Sequence, residues 1–240
     1  MERIALLLLM FLTGDNVYRD ELETKKEYNN IFASNVHPSA SEGLKAAYES
    51  SVIINRFDEK GNLSMGSGNY FKIKQHRFIM TAAHVAEETG ALMITEKNGN
   101  STIADVVLID YHHDIAILFP REYLEFTKPI KYKIENNPRI GQEVVYCGHP
   151  NDALFSSVKG IVSTYEKGWI LINSFAWPGS SGSIIFTEEG KVVGVVSSVS
   201  VGSSSFGYQL IQEIVRVGPT IYLTDKILLE FFNDVERQGK

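Results

Sequence analysis

The sequence has a single cysteine, Cys147, among its 240 residues, so no disulfide can form within the chain. The fold must therefore be held by its apolar core, and hydrophobic residues make up 44% of the sequence. That share, with 22% charged residues, is typical of a soluble globular protein. Cys147 lies in an apolar run at 144–147, which favours a buried structural role over a nucleophilic one.

An excess of positive charge is also missing. The formal net charge is −6, and the sequence contains no basic cluster. Because proteins bind nucleic acid phosphates through a positive surface, we expect no nucleic acid partner.

Long hydrophobic runs are absent as well. The apolar run from Ile4 to Leu12 is shorter than the roughly 20 residues that span a bilayer, so no stable membrane span is expected. The run has the length of a signal-peptide core, and Thr13 and Gly14 are small residues at a suitable cleavage point. We therefore predict a signal peptide or hydrophobic N-terminal segment at 1–14, and secretion or export to the periplasm. The alternative is a segment that packs on the body or touches a membrane as an uncleaved anchor; without export the protein would be cytoplasmic.

Residues 15–50 are predicted to form a polar linker followed by a short helix over 41–49, capped by Ser41. From residue 51 the pattern changes to short β-rich runs separated by turn residues, which indicates an all-β protein. A first set of runs precedes a connector at 121–138, and a second set follows it. The runs are 51–57, 69–74, 77–82, 91–96, 101–109, 114–119, 143–148, 157–163, 169–174, 183–186, 191–198, 208–212 and 215–223.

The last segment, 224–238, has apolar residues at the three-and-four spacing of an amphipathic helix and begins at Thr224, a good helix cap.

Three short motifs supply a histidine, an aspartate and a serine in that order along the chain. Residues 81–85 read Thr-Ala-Ala-His-Val, residues 114–118 read Asp-Ile-Ala-Ile-Leu, and residues 178–183 read Pro-Gly-Ser-Ser-Gly-Ser. A hydroxyl is a poor nucleophile at neutral pH unless an imidazole takes its proton and a carboxylate orients that imidazole. We therefore predict Ser181 as the nucleophile, His84 as the general base and acid, and Asp114 as the orienting carboxylate. The N–H groups of Gly179 and Ser181 would form the oxyanion hole.

The three motifs together resemble the trypsin-like (chymotrypsin-fold) serine peptidases, in the bacterial and viral branch whose serine motif reads Gly-x-Ser-Gly-Ser. The resemblance implies two antiparallel Greek-key β-barrels and a C-terminal α-helix over 51–240. Barrel one would span about 51–120, and barrel two with the helix about 139–240. It also implies a serine endopeptidase acting on polypeptides, with no cofactor and no metal; the oligomeric state stays open.

The resemblance extends to the specificity pocket. Phe175 stands where the family places the pocket floor, and Ser197, Ser198 and Val199 stand at the strand that lines it. With no carboxylate on the floor, a restricted apolar pocket for small or aliphatic residues is expected. Ser180 replaces the aspartate that zymogen-activated members pair with a freed N-terminus, so the site should form without such cleavage.

Several alternatives were weighed against this assignment. Asp110 is a rival carboxylate, and Ser180 and Ser183 are rival hydroxyls. His112 and His113 resemble a metal pair, but neighbours in an extended chain point to opposite faces, so shared ligation is not expected.

Two other enzyme classes and one class of binding protein were also considered. The α/β-hydrolase class needs its histidine after the serine, whereas all six histidines precede Ser181, and a subtilisin-like order would put the aspartate before the histidine. The remaining alternative is a catalytically idle trypsin-fold module that binds peptide or protein.

Overall fold

The computed structural model describes residues 36–57, 61–87, 92–150, 153–203 and 209–238. The predicted signal segment at 1–14 and the linker up to residue 35 lie outside these residues. The described part begins with helix α1 (Glu42–Ser50), whose first turn is capped by Ser41: the Ser41 Oγ accepts a hydrogen bond from Leu44 N at 3.2 Å. The helix ends where Ser51 turns into the extended conformation.

Barrel one is a closed sheet of six antiparallel strands. Around the barrel the strands follow the order β1, β2, β3, β6, β5, β4, and β4 pairs with β1 again. The strands are β1 (Ser51–Phe57), β2 (Leu63–Ile73), β3 (His76–Thr81), β4 (Leu92–Thr95), β5 (Ser101–Asp110) and β6 (Ile115–Pro120).

The connector between the barrels contains a strand that the sequence did not reveal. The two-residue strand β7 (Ile130–Lys131) pairs in parallel with β2. A segment this short shows no alternation of apolar and polar residues, so only its tertiary pairing identifies it.

Barrel two repeats the path of barrel one. Its strands follow the order β8, β9, β10, β13, β12, β11, and β11 pairs with β8. They are β8 (Glu143–Gly148), β9 (Ser156–Glu166), β10 (Trp169–Ser174), β11 (Ile184–Thr187), β12 (Val192–Ser203) and β13 (Gln209–Pro219). The predicted class, two antiparallel Greek-key barrels, is confirmed.

One strand prediction in barrel two was wrong. The runs at 208–212 and 215–223 were predicted as two strands, but they belong largely to the single strand β13. Pairing with β10 carries the strand through the gap, since Ile214 lies opposite Asn173. The strand ends at Pro219, because proline has no N–H to donate to a sheet. Helix α2 (Asp225–Gln238) follows, with Ile227 N donating to Thr224 Oγ1 at 3.3 Å.

The apolar interior has three parts. One cluster fills barrel one and includes Ile54, Tyr70 and Ile79, and a second fills barrel two and includes Val144 and Ile172. The third joins both barrels to the two helices. Its fully buried members include Ala47, Phe71, Ile117, Phe186 and Phe232. Burial of this third cluster fixes the barrels against each other, so residues on facing loops can form one site. Among the described residues, no helix is long and apolar enough to cross a bilayer.

Candidate active site

His84 lies just after β3, in a short 3-10 turn over Ala83–Val85. The two alanines that precede it, Ala82 and Ala83, are completely buried and anchor the turn on the barrel. The imidazole is left at the surface, with 44% of its side chain exposed.

Asp114 occupies the turn between β5 and β6 and has a left-handed backbone with φ of 55°, a conformation that aspartate tolerates better than most residues. It accepts two hydrogen bonds from one residue: Oδ2 lies 2.8 Å from His84 Nδ1, and Oδ1 lies 3.0 Å from His84 N. Because a carboxylate only accepts, Nδ1 carries the proton. His84 Nε2 is then the ring nitrogen that can take a proton.

Burial of Asp114 acts to raise its pKa, but hydrogen bonds from His84 and Ser197 outweigh that effect and hold the pKa below its usual value. The Ser197 hydroxyl donates to Asp114 Oδ2 at 2.5 Å. Asp114 is therefore an anion at neutral pH, as a carboxylate that stabilises an imidazolium must be.

The serine loop (residues 175–183) joins β10 to β11 and contains a type II turn. Ser180 N donates to Trp177 O at 2.8 Å, with Pro178 and Gly179 at the two central positions. Gly179 has φ of +98°, as the third residue of this turn requires. Gly182 is also left-handed, and a Cβ there would lie 2.1 Å from Ser67 O. Both glycines are thus required by the backbone path.

Ser181 is partly buried, and its Oγ donates to the carbonyl oxygen of Ser197 at 3.4 Å. No hydrogen bond joins Ser181 Oγ to the His84 ring within the described part of the chain. The structure thus brings His84 and Asp114 into direct contact and links Ser181 to Asp114 through Ser197.

Ser197 was predicted to line the substrate pocket, but its side chain lies on Asp114. The cause is a β-bulge: Val196 pairs with Val217 and Ser198 with Arg216, which leaves Ser197 as the extra residue of β12. A bulge turns the extra side chain away from the regular alternation. Among the other predicted pocket residues, Ser198 is exposed and Val199 packs on the core of barrel two.

The N–H groups of Gly179 and Ser181 donate to no other group among the described residues. Both belong to the loop that carries the Ser181 hydroxyl. This arrangement leaves two backbone donors available to a negatively charged oxygen.

Phe175 is 52% exposed and lines a cleft of about 470 Å³ with Trp177 and four residues after β8 and at β9. These four are Pro150, Ala153, Ser156 and Val158. Among the described residues, these walls are almost entirely apolar side chains and contain no carboxylate. A second groove, of about 770 Å³, runs from Ala86 and Glu87 along β5 to Tyr111.

The rival carboxylate, Asp110, has partners of its own. Its Oδ2 lies 2.7 Å from His113 Nδ1 and accepts a hydrogen bond from the Tyr222 hydroxyl at 2.6 Å. Burial acts to raise the pKa of Asp110, but these hydrogen bonds outweigh it and lower the pKa to about 2. Asp110 therefore ties its turn to Tyr222, between barrel two and α2.

His112 and His113 were expected to lie in an extended chain, and that expectation was wrong. The two residues lie in a turn, and their ring centroids are 4.5 Å apart in edge contact. Asp110 already engages His113 Nδ1. No group of three or more ligating side chains within the described ranges is arranged to hold a metal ion.

Cys147 is fully buried, and burial raises its pKa to about 11. It is therefore a thiol at neutral pH, which fits the structural role expected from its apolar surroundings.

The sequence analysis did not single out two residues whose side chains donate hydrogen bonds to the serine loop. The Ser67 hydroxyl donates to Gly179 O at 2.7 Å, and the Tyr146 hydroxyl donates to Phe175 O. Ser67 lies 112 positions from Gly179, so no local motif joins them. The one signal was the run Gly66-Ser67-Gly68, in which glycines flank a serine within a predicted barrel.

The comparisons with known proteins agree on one protein family. A family model for the trypsin-like peptidase domain matches residues 66–195, more than half of the chain. An HtrA-like serine protease of Staphylococcus haemolyticus is 26% identical over 163 residues, covering 60% of this chain and 26% of that protein. A probable periplasmic serine endoprotease, DegP-like, of Halomonas elongata is 26% identical over 151 residues, covering 60% of this chain and 31% of that protein. The chain thus spans about a quarter to a third of the length of these relatives.

Solved structures share the fold. The serine endoprotease from Yersinia pestis aligns with a TM-score of 0.62 and 22% identity, over 83% of this chain and 69% of that chain. An HtrA-type protease solved with a tripeptide aligns with a TM-score of 0.62 and 19% identity, over 82% and 64% of the two chains.

Proposed function

The chain belongs to the trypsin-like peptidase domain family, and from this premise we propose that it is a serine endopeptidase that cleaves polypeptides through an acyl-enzyme. The observation that carries the proposal is the double hydrogen bond between Asp114 and His84. It leaves Nε2 as the proton acceptor, on the barrel opposite the one that carries Ser181.

In the proposed reaction, Ser181 Oγ attacks the scissile carbonyl carbon while its proton passes to His84 Nε2. The imidazolium then gives that proton to the leaving amine, and water repeats the cycle on the acyl-enzyme. Asp114 stabilises the imidazolium and stays ionised throughout. For the first step, Ser181 Oγ exchanges its hydrogen bond to Ser197 O for one to His84.

Negative charge develops on the carbonyl oxygen when the tetrahedral intermediate forms. We assign its stabilisation to the N–H groups of Gly179 and Ser181. Loss of one such donor in this kind of site costs about 2.7–4 kcal/mol of transition-state stabilisation, so these backbone groups matter nearly as much as a triad side chain.

The proposed preference is for small or aliphatic residues before the cut bond. The described walls around Phe175 are apolar and contain no carboxylate. This supports the preference, because a basic substrate side chain would find no counter-charge among these residues. Ser198 and Val199 are the proposed edge of the pocket. One named relative is a probable periplasmic serine endoprotease, and together with the apolar run at 1–14 it supports secretion or a periplasmic location. We also propose the boundaries given by the sequence: the N-terminal segment at 1–14, the linker and helix at 15–50, and the peptidase domain at 51–240.

The test is labelling of the purified chain with a fluorophosphonate probe, followed by digestion of casein. We expect the native chain to be labelled and to cleave casein, and Ser181→Ala and His84→Ala to do neither. Ser183→Ala is the matched control: it removes a rival hydroxyl from the same loop, and this hydroxyl is buried without a hydrogen-bond partner among the described residues. This variant should keep its labelling. If the folded native chain takes no label, the endopeptidase proposal fails and an idle peptide-binding module remains.

A further inference from the structure

Ser67 lies in β2 of barrel one, is completely buried, and contacts the serine loop of barrel two. Its hydroxyl donates to Gly179 O at 2.7 Å, and its backbone N–H donates to Ser181 O at 2.8 Å. Gly179 and Ser181 are the two residues whose N–H groups form the proposed oxyanion hole. Ser67 of barrel one therefore donates a hydrogen bond to the carbonyl oxygen of both Gly179 and Ser181.

The peptide group between Gly179 and Ser180 is held at both ends. Its oxygen accepts from the Ser67 hydroxyl, and its N–H donates to Trp177 O at 2.8 Å. This restraint matters because Gly179 has no Cβ and can occupy several backbone conformations at little cost. The Gly179 and Ser181 N–H groups belong to the two peptide groups on either side of this one, so fixing the central peptide limits how far their directions can change relative to each other.

Ser67 is itself fixed in place. Its Oγ accepts a hydrogen bond from His149 N at 3.1 Å, so the hydroxyl proton is directed at Gly179 O. Its carbonyl oxygen accepts from Thr81 Oγ1 at 2.7 Å, and Gly182 packs against the same oxygen, where a Cβ would lie 2.1 Å away. The donor is thus held before any substrate arrives.

We propose that Ser67 is a positioning residue that holds the oxyanion hole in its working geometry from the opposite barrel. This inference rests on the endopeptidase function proposed above. Ser180 stands where an aspartate would pair with a freed N-terminus in zymogen-activated relatives, and it accepts a neutral hydrogen bond from Trp177 N at 3.2 Å. The hydroxyl of Ser67 supplies an organising contact to the loop that needs no such cleavage.

The experiment compares the native chain with Ser67→Ala, Ser67→Cys and Ser64→Ala. Ser64→Ala is the matched control, because Ser64 lies on the same strand but is exposed, and among the described residues its hydroxyl bonds only Arg56 O. The concentration of active sites is titrated with the fluorophosphonate, and kcat and KM are measured on a peptide substrate. Affinity is measured for a peptide aldehyde, which forms a tetrahedral adduct with the serine.

For Ser67→Ala we expect kcat per titrated site to fall about tenfold, as the loss of one buried hydrogen bond implies. KM should change less than twofold, and affinity for the aldehyde should fall by the same factor as kcat. The cysteine variant replaces the hydroxyl with a slightly larger thiol that is a weaker donor, so it should lie between native and alanine and serves if the alanine variant fails to fold. An unchanged kcat per site, or a change confined to KM, would overturn the proposal.

A second readout does not depend on activity. Amide hydrogen exchange in the segment around 177–182 should be faster in Ser67→Ala than in the native chain and in Ser64→Ala. If the native chain takes no fluorophosphonate label but this exchange difference appears, the endopeptidase proposal fails while the restraint by Ser67 stands. If exchange is the same in all three proteins, the restraint itself is refuted.

Discussion

Barrel one and barrel two follow the same strand path, but they supply different kinds of groups to the proposed site. Barrel one contributes side chains, the imidazole of His84 and the carboxylate of Asp114. Barrel two contributes a hydroxyl and a backbone: the Ser181 side chain and two N–H groups on a loop with left-handed glycines at 179 and 182. The shared topology therefore does not determine which barrel carries which function.

The two halves of the site are also held in different ways. On barrel one, the two proposed catalytic residues bond each other directly, so each orients its partner. On barrel two, the loop depends on residues distant in sequence, including Ser67 and Tyr146. A backbone site needs more outside support than a side-chain pair, because its donors are turned by any rotation of the peptides between them.

The largest expected effect concerns the side-chain half. Asp114→Asn places an amide where the carboxylate accepts from His84 Nδ1, which favours the wrong tautomer. We expect kcat to fall by about 10,000-fold at neutral pH, measured by hydrolysis of a peptide substrate. Asp110→Asn is the matched control and should keep kcat within tenfold. A larger loss for Asp110→Asn than for Asp114→Asn would exchange their roles.

The backbone half is tested by Gly182→Ala. A Cβ at Gly182 would lie 2.1 Å from Ser67 O, in a residue with φ of +87°. We expect a loss of about 4 kcal/mol in the free energy of unfolding, from left-handed strain together with a backbone clash. Gly141 has φ of +86° with open space around it, so Gly141→Ala should cost about 1–2 kcal/mol. Equal losses in urea unfolding would show that φ alone, and not the contact between barrels, explains the glycine.

His149 joins the barrels and should make the protein sensitive to acid. Its Nε2 donates to Val52 O at 3.0 Å, and its Nδ1 accepts from Phe155 N at 2.9 Å. Burial lowers its pKa to about 4, so between pH 6.5 and 4 the unfolded chain binds a proton that the folded chain refuses. Stability should therefore fall over this range as the pH is lowered, by about 3 kcal/mol for a shift of this size.

The check is the free energy of urea unfolding measured from pH 7 to pH 4. His149→Gln should be less stable than the native chain at pH 7 but show a smaller loss on acidification. His37→Gln, which changes an exposed histidine, should keep the native slope. The same slope in His149→Gln would assign the acid sensitivity to other groups.

The smallest expected effect concerns the bond between Tyr222 and Asp110. Tyr222→Phe removes a hydrogen bond to a carboxylate and should cost about 1.5 kcal/mol at pH 7. Because the pKa of Asp110 is lowered to about 2, its contribution is present above pH 4 and is lost as the pH falls through 2. Thermal unfolding from pH 7 to pH 2 should show a smaller acid loss in the variant. Tyr111→Phe is the control: Tyr111 lies in the same turn as Asp110, but it is 64% exposed. This variant should have the same stability as the native chain at each pH.

The sequence predicted the strands and helices well because their signals are local, whereas the two-barrel arrangement was implied by the family resemblance. Alternating runs and turn residues identified twelve barrel strands, and Ser41 and Thr224 marked the helix starts. The errors occurred where pairing decides: β13 was divided into two strands, and β7 was not seen. In both cases hydrogen bonds to a distant strand override what the local residues indicate.

Local motifs also predicted His84, Asp114, Ser181 and Gly179 as a set, but they did not describe the contacts around them. Ser197 was assigned to the pocket, whereas a bulge in β12 turns its hydroxyl onto Asp114. Ser67 was not singled out, since its importance depends on a partner 112 positions away.

The sequence by itself determined the residue types, their order and the turns that carry them, because these depend on backbone preferences over a few neighbouring residues. A glycine at 179 and another at 182 prepare a loop that most other residues would strain. Only the tertiary structure decided which groups meet: Asp114 with His84, Ser197 with Asp114, and Ser67 with the serine loop. Those contacts exist because the core shared by both barrels is buried, and burial of apolar surface holds the two barrels together without specifying from sequence which polar groups will face each other.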